Sequence, residues 1–291
     1  MKKNKIKILI TGVGGLIGGE FYSQLKSKKI SVKGIDINNN ILSKKFLYFL
    51  KSFKPNIIIH CASHPGGLSF KEPIKNIQVN YIGSVKIIKW CAMNNCKFIF
   101  LSSSAVYGNR LKKIKIKEND QLKPETIYGI NKLAVEKFIE SYSKYKKFDW
   151  LIFRLFATYG PGHKPNNYQG IINVIISQLK YKNNLIIKGS LSRTRSLIYV
   201  KDAVKLMLNI LLKKINRRII NIAGEKYNTV GSLVKCIKKI YNKNFQTQIV
   251  KGTPGDPLHS IANVNLMKKL TKMKINYDIY QGINEIKNNR K

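Results

Sequence analysis

The sequence predicts an α/β fold: a doubly wound parallel sheet with a smaller, interleaved unit towards the C-terminus. Two observations predict it. Short apolar runs alternate with helix-compatible stretches through the first half of the chain, the order expected when parallel strands are covered by helices on both faces. A glycine-rich turn, TGVGGLIG at residues 11–18, follows the first apolar run directly and opens the first helical stretch.

The elements follow in order. Residues 6–10 form an apolar run that reads as a strand, 16–28 as a helix, and 32–37 as a second strand carrying Asp36 near its end. Helix-compatible stretches at 43–53, 74–94 and 127–145 are separated by strand-like runs at 57–61, 97–102 and 150–156. After Gly160 the segment PGHKPNNYQG is punctuated by Pro and Gly and the alternation weakens, which marks the start of a second unit. Strand-like residues 218–223 return to the first sheet. The expected division is therefore 1–157, with a returning segment around 198–223, and 158–291.

Each glycine of the turn has a separate task. Gly12 lets the chain leave the strand sharply, Gly15 clears the backbone for close approach of phosphates, and Gly18 lets the helix pack against the sheet. Free N–H groups and the positive end of the helix dipole then face an anion. Asp36 stands at about the 20-residue distance where a carboxylate accepts from a ribose hydroxyl. The pattern points to a dinucleotide, and the negative charge of Asp36 favours NAD over NADP.

A chain of 291 residues with 44% hydrophobic content can bury one large domain and a smaller one. No apolar run approaches the roughly 20 residues that span a bilayer. The opening MKKNKIKILITG imitates a signal peptide, but its apolar run falls short of the ~7–15 residues of a signal core, so a cytoplasmic protein is expected. Cys61, Cys91, Cys96 and Cys236 show no CxxC spacing and no histidines at metal-ligand intervals. They read as reduced thiols, with no metal site.

The formal charge is +40, from 54 basic and 14 acidic residues. Such an excess is compatible with a polyanion partner. The lysines are spread through nearly every segment, however, and form no aromatic-laced patch, so the charge reads as a compositional bias of the whole sequence. No specific nucleic acid is expected.

Tyr128 and Lys132 stand four apart in YGINK at the head of a helical stretch, on one face and a turn apart. An ammonium beside a phenol lowers its pKa, which would make Tyr128 a general base; Lys132 is also placed to bond the nicotinamide ribose. SSSAVYG at residues 102–108 ends a predicted strand, where open α/β sheets bind ligands. A serine there can share the substrate oxygen that Tyr128 deprotonates. His60, at the end of a buried strand, reads as a hydrogen-bonded core residue; His163 and His259 match no catalytic position.

In this order the motifs resemble the extended short-chain dehydrogenase/reductase family, in its branch of NAD-dependent nucleotide-sugar epimerases and dehydratases, over almost the whole chain. They include HCAS (60–63), VNYIGS (79–84), RLFATYGPG (154–162), GSLSRTRSLIYVKDAV (189–204) and TPGDPLHSIANV (253–264). The resemblance implies a Rossmann domain and a substrate-binding domain. It makes Ser103, Tyr128 and Lys132 catalytic, and Gly12, Gly15, Leu16, Ile17, Gly18, Asp36, Cys61, Ala62, Asn80, Lys132 and Phe156 cofactor-binding. Ser103, Arg195 and Asp256 would meet the substrate, Arg195 by gripping its diphosphate. The implied reaction is epimerisation at C4 of a nucleotide-activated hexose through a transient 4-keto sugar, in a homodimer paired through the helices at 74–94 and 127–145. Surface-polysaccharide precursor synthesis is the associated role.

Three departures limit the resemblance. Ser104 and Ala105 stand where dehydratases carry an acidic residue, which weakens a 4,6-dehydratase reading because elimination needs a further acid and base. Ala157 replaces an asparagine that often meets the diphosphate. The stretch from Asp36 to Pro55 is short and lacks one strand, as in related NAD(P)H-dependent sugar 4-reductases, and keeps that alternative open.

Overall fold

The first apolar run becomes β1 (Lys7–Thr11), buried from its second residue on, and the glycine turn leads into α1 (Leu16–Ser27). The computed structural model describes residues 6–28, 30–36, 41–163, 168–181, 184–213 and 215–289. There follow β2 (Ser31–Ile35), α2 (Lys44–Phe53), β3 (Ile57–His60), α3 (Pro73–Ile77), a π-turn at Gln78–Gly83, α4 (Ser84–Met93) and β4 (Lys97–Ser103). Next come β5 (Lys115–Ile116), α5 (Ile127–Lys146), β6 (Trp150–Leu155), β7 (Ala157–Tyr159), α6 (Ile171–Tyr181), β8 (Asn184–Lys188), β9 (Thr194–Tyr199), α7 (Val200–Leu212) and β10 (Arg218–Ile222). The chain ends with β11 (Tyr227–Thr229), α8 (Val230–Tyr241), β12 (Gln246–Val250), β13 (His259–Ala262), α9 (Asn265–Thr271) and α10 (Ile279–Asn288).

Six parallel strands form the central sheet in the order β10-β6-β4-β3-β1-β2. The period of two along a strand sends alternate side chains to opposite faces. In β1, Ile8 and Ile10 join Phe21 and Leu25 of α1 and Val204 and Met207 of α7. Leu9 goes the other way, to Phe46 and Leu50 of α2, Ile87 of α4 and Val135 of α5. Strand order reverses between β1 and β3, and a doubly wound sheet opens its binding crevice at that switch point.

A second sheet, β11-β9-β13-β5 with β7 on β9, and the pair β12-β8 lie with α6, α8 and α10 around a separate apolar cluster. The chain changes sheets at Phe156, whose N–H donates to Ile222 O at 3.0 Å before β7 pairs with β9. Strand β5, from the first half of the chain, pairs with β13 near its end, so the two lobes interlock through more than the returning β10.

Several expected boundaries move. The stretch 74–94 is not one α-helix: the π-turn interrupts it, and such single-turn bulges are common at functional sites. β4 runs one residue further, to Ser103, and the predicted strand at 150–156 stops at Leu155. The expected last residue of the second strand, Ile37, lies outside the described residues, as do 164–167 of the Pro- and Gly-punctuated segment. Among the described residues, no helix is long and apolar enough to cross a membrane.

Candidate active site

A cleft of about 1870 Å³ runs along the carboxyl ends of the central strands into the smaller lobe. At one end lies the glycine turn. Gly12 has φ +73°, and its N–H and that of Val13 both donate to Ile35 O, at 2.8 and 3.1 Å. A Cβ on Gly12 would sit 2.6 Å from Ala62 N, and one on Gly18 would strike Gly12 O. At Gly15 a Cβ would meet only Gly12 O, at 3.4 Å, so the space there opens to the cleft. Gly15 also caps α1 without a side-chain bond, which leaves the first helical N–H groups free for an anion. Asp36 follows β2 directly and lies over Gly14, where an added Cβ would collide with its carboxylate. Leu16, Ile17, Cys61, Ala62 and Phe156 line the same wall.

Asn80 does not line it. Its side chain is buried one layer behind, where Oδ1 accepts from His64 N at 2.7 Å and from Ser63 Oγ at 3.0 Å. Its Nδ2 donates to His64 O and to Asn76 Oδ1, each at 3.0 Å. The π-turn carries Asn80 inward, where its amide holds the loop after β3 in place of a ligand.

Ser103, the last residue of β4, turns its Oγ to accept from Ala105 N at 3.1 Å. Thr126 caps α5 by accepting from Gly129 N at 3.0 Å, which sets Tyr128 in the first turn and Lys132 one turn on. Tyr128 shares the cleft wall with Ser63 and Ser103. Lys132 is buried beneath it, with Nζ donating to Leu101 O at 2.8 Å and lying 5.5 Å from the Tyr128 ring centre. Burial lowers the Lys132 pKa to about 8, opposed by Cys61 and Glu136.

The expectation that Lys132 pulls the Tyr128 pKa down needs correction. Burial raises that phenol, and the neighbouring hydroxyls of Ser63 and Ser103 only partly oppose the rise. The ammonium is committed to the Leu101 carbonyl and so does not reach the phenol oxygen. His60 is a core residue: Nδ1 meets Thr11 Oγ1 at 2.7 Å and Nε2 meets Ser84 Oγ at 2.9 Å. Ser84 Oγ itself donates to Asn80 O at 2.8 Å, so it accepts from Nε2–H, and Thr11 donates to Nδ1. Burial and the nearby Lys132 lower the His60 pKa to about 3. Burial likewise pushes the Cys61 thiol up.

Two buried polar clusters support the site and carry residues that the sequence reading passed over. Arg154, 2% exposed, is held by Glu136: Nη2 donates to Oε2 at 2.7 Å, and Nε reaches both carboxylate oxygens at 3.1 and 3.2 Å. Its Nη1 donates to Tyr107 Oη and Glu118 O, and Ser102 Oγ donates to Glu136. On the other side, Asn131 Nδ2 donates to Asn76 Oδ1 at 2.9 Å and ties α5 to the Asn80 layer, while His64 Nε2 faces Glu72 at 3.3 Å. Glu136 was findable at four residues after Lys132, and Arg154 as the lone charge inside WLIFRL, since a buried charge needs a partner.

At the far end of the cleft, Arg195 Nη2 donates to Asp256 Oδ1 at 2.6 Å, and Arg193 donates to the other oxygen of the same carboxylate. Burial, and then Arg193, lower the Arg195 pKa to about 10. The two predicted substrate residues thus meet each other, and Arg193, in the turn just before β9, joins them through the second oxygen of Asp256. His163 is on the cleft wall, and His259 sits behind it with Nδ1 2.9 Å from Thr194 Oγ1. Among the described residues, no group of three or more His, Cys, Asp or Glu is placed to hold a metal ion.

Residues 8–223 match the NAD dependent epimerase/dehydratase family. The chain is 27% identical over 298 residues to an uncharacterised UDP-glucose epimerase of Bacillus subtilis, covering 91% of this chain and 92% of that one. It is 27% identical over 290 residues to a dTDP-4-dehydro-6-deoxyglucose reductase of Escherichia coli, covering 90% and 89%. The UDP-glucose 4-epimerase of Thermotoga maritima, solved with UDP-glucose, superposes with a TM-score of 0.90 at 22% identity over 97% of each chain. The glycine turn, the six-stranded sheet and the match over most of the chain agree: this protein belongs to the NAD dependent epimerase/dehydratase family.

Proposed function

We propose that the protein interconverts the C4 epimers of a nucleotide-activated hexose. The observation that carries this reading is that Ser103, Tyr128 and Lys132 all line the cleft that also holds the glycine turn. The residues present fit NAD: the uncapped start of α1 and the open space at Gly15 suit a pyrophosphate, and Asp36 suits a ribose without a 2′-phosphate. When bound, NAD supplies a hydride acceptor and donor, which makes a transient 4-keto sugar accessible.

The side chains supply the proton chemistry. Tyr128 takes the proton of the sugar's 4-hydroxyl and later returns it, while Ser103 bonds the same sugar oxygen. Lys132, charged below about pH 8, is within reach of the phenol once its ammonium leaves the Leu101 carbonyl. Arg195 and Arg193 offer a guanidinium pair to the diphosphate, with Asp256 holding them in the absence of that anion. The interlocked smaller lobe covers the site and keeps water from the keto sugar.

Tyr128→Phe tests this. The expected result is turnover lowered by at least about a thousandfold with the fold and NAD binding retained, read by chromatography of products from a panel of UDP-, GDP-, CDP- and dTDP-sugars. An unchanged rate removes Tyr128 from the mechanism. A second reading, an NAD(P)H-dependent sugar 4-reductase, is favoured by the Escherichia coli relative; it predicts stoichiometric consumption of added cofactor where an epimerase shows none. We propose a cytoplasmic reaction, which the use of NAD supports, and a role in surface-polysaccharide precursors, which the family resemblance supports. Exposed Ile74, Ile77, Ile82 and Ile130 on the two long helical segments support a homodimer, which sedimentation velocity would resolve.

A further inference from the structure

Three serines in a row, residues 102–104, stand where β4 ends, and only Ser103 has a place in the reaction described above. The period of two along the strand separates neighbours. Ser102 continues the row of Phe98 and Phe100, which share a cluster with Val135 and Ile139 of α5, whereas Leu101 joins the opposite cluster. At position 102 that row meets a carboxylate: Ser102 Oγ donates to Glu136 Oε1. Ser102 is also in register with Arg154 of β6, which holds the same carboxylate by Nη2 at 2.7 Å and by Nε at 3.1 and 3.2 Å.

Two ties therefore join consecutive residues of β4 to α5. Lys132 Nζ donates to Leu101 O at 2.8 Å, and Ser102 donates to Glu136, one turn further along the helix. They differ in permanence. Lys132 leaves Leu101 O when it turns to the phenol or to the nicotinamide ribose, and the strand then loses that bond. Glu136 is fully buried and pinned by Arg154, so the bond from Ser102 stays. Beyond Ser103 the chain passes close over α5, where a Cβ on Gly129 would lie 2.7 Å from Ala105 O. A drift of the strand end therefore moves Ser103 against Tyr128, which stands beside Gly129 in the first turn of α5.

We infer that Ser102 is a positioning residue: its bond to Glu136 keeps the end of β4, and with it Ser103, in place against Tyr128 while Lys132 is engaged with phenol and cofactor. The Ser102 hydroxyl gives its hydrogen to the buried carboxylate, so it acts through the strand and not on the sugar. Ser102→Ala leaves Glu136 paired with Arg154, and no buried charge is stranded. The inference rests on Lys132 serving Tyr128 and NAD as proposed above.

The test follows deuterium uptake of residues 103–107 by mass spectrometry in the parent, Ser102→Ala and Ser102→Thr, each with and without saturating NAD. Without NAD, Lys132 still holds Leu101 O, and Ser102→Ala is expected to exchange within about twofold of the parent. With NAD, Ser102→Ala should exchange about tenfold faster than the parent, as the strand end has then lost both ties. Ser102→Thr keeps the hydroxyl and should follow the parent in both states. In turnover, Ser102→Ala should lower kcat about tenfold with the sugar's KM within about twofold, and Ser102→Thr should restore kcat. Equal acceleration with and without NAD would mark a bond that only supports the fold, and it overturns the inference. So does no acceleration in either state, or Ser102→Thr behaving as Ser102→Ala. If no sugar is turned over, the epimerase reading fails, and the exchange with NAD still decides what Ser102 does.

Discussion

The buried pair of Arg154 and Glu136 gives the sharpest test of how the site is supported. Both side chains are nearly inaccessible, 2% and 1% exposed. Four of the five guanidinium hydrogens have acceptors, two of them on the Glu136 carboxylate. Glu136→Gln keeps the shape, removes the negative charge and leaves Arg154 charged among β4, β6 and α5. Breaking a buried pair from one side costs about 3–5 kcal/mol because the surviving charge loses its compensation. For a chain of this size that is a fall in Tm on the order of 10 °C. Replacing both partners, Glu136→Gln with Arg154→Met, removes the stranded charge and should recover at least about 1 kcal/mol over Glu136→Gln alone. Urea unfolding followed by circular dichroism measures all three proteins. A single variant within about 1 kcal/mol of the parent would falsify the reasoning, as would a double variant no more stable than the single one.

Three further outcomes are expected. His60 refuses a proton in the folded state until about pH 3 but takes one near 6.5 when unfolded. Its contribution is therefore complete above pH 6.5 and is lost as pH falls towards 3, about 2 kcal/mol of it by pH 5; in His60→Gln the acid side of the stability curve should be shallower by one proton. Lys54, Lys147 and Lys272 end helices at φ 49°, 45° and 54°, so each Lys→Gly change should raise stability by about 1 kcal/mol in urea titrations. Asp36→Ala should weaken NAD about tenfold in calorimetric titration and reduce the preference over NADP, by loss of a charged acceptor; undiminished preference would remove Asp36 from the ribose site.

The central sheet was legible because its signal is local. Apolar runs, helix-compatible spacing and glycines at residues 12, 15 and 18 each report on their own neighbourhood, and the strand order then places their carboxyl ends side by side. The same locality explains what was missed. Strand β5 is two residues long and exists only because β13, far along the chain, pairs with it. The π-turn at Gln78–Gly83 has no sequence period of its own. It turned Asn80 from an expected cofactor contact into a support for the loop behind the cofactor wall.

The chemistry of the site divides along the same line. Tyr128 and Lys132 were found through their helical spacing, but spacing gives proximity and says nothing about where a proton or a charge is directed. Lys132 gives its hydrogen to Leu101 O, a residue 31 positions away. Arg195 and Asp256, 61 positions apart, form an ion pair with each other. In both cases a cation buried in a cleft finds the nearest oxygen that the fold supplies, because leaving it unpaired costs more than the bond's own net value. A ligand must therefore displace an internal partner before it gains the residue. Asp256→Asn isolates that competition: weakening the hold on Arg193 and Arg195 should tighten inorganic pyrophosphate measurably in calorimetry, whereas weaker binding would mean that Asp256 positions the arginines for the anion and does not compete with it.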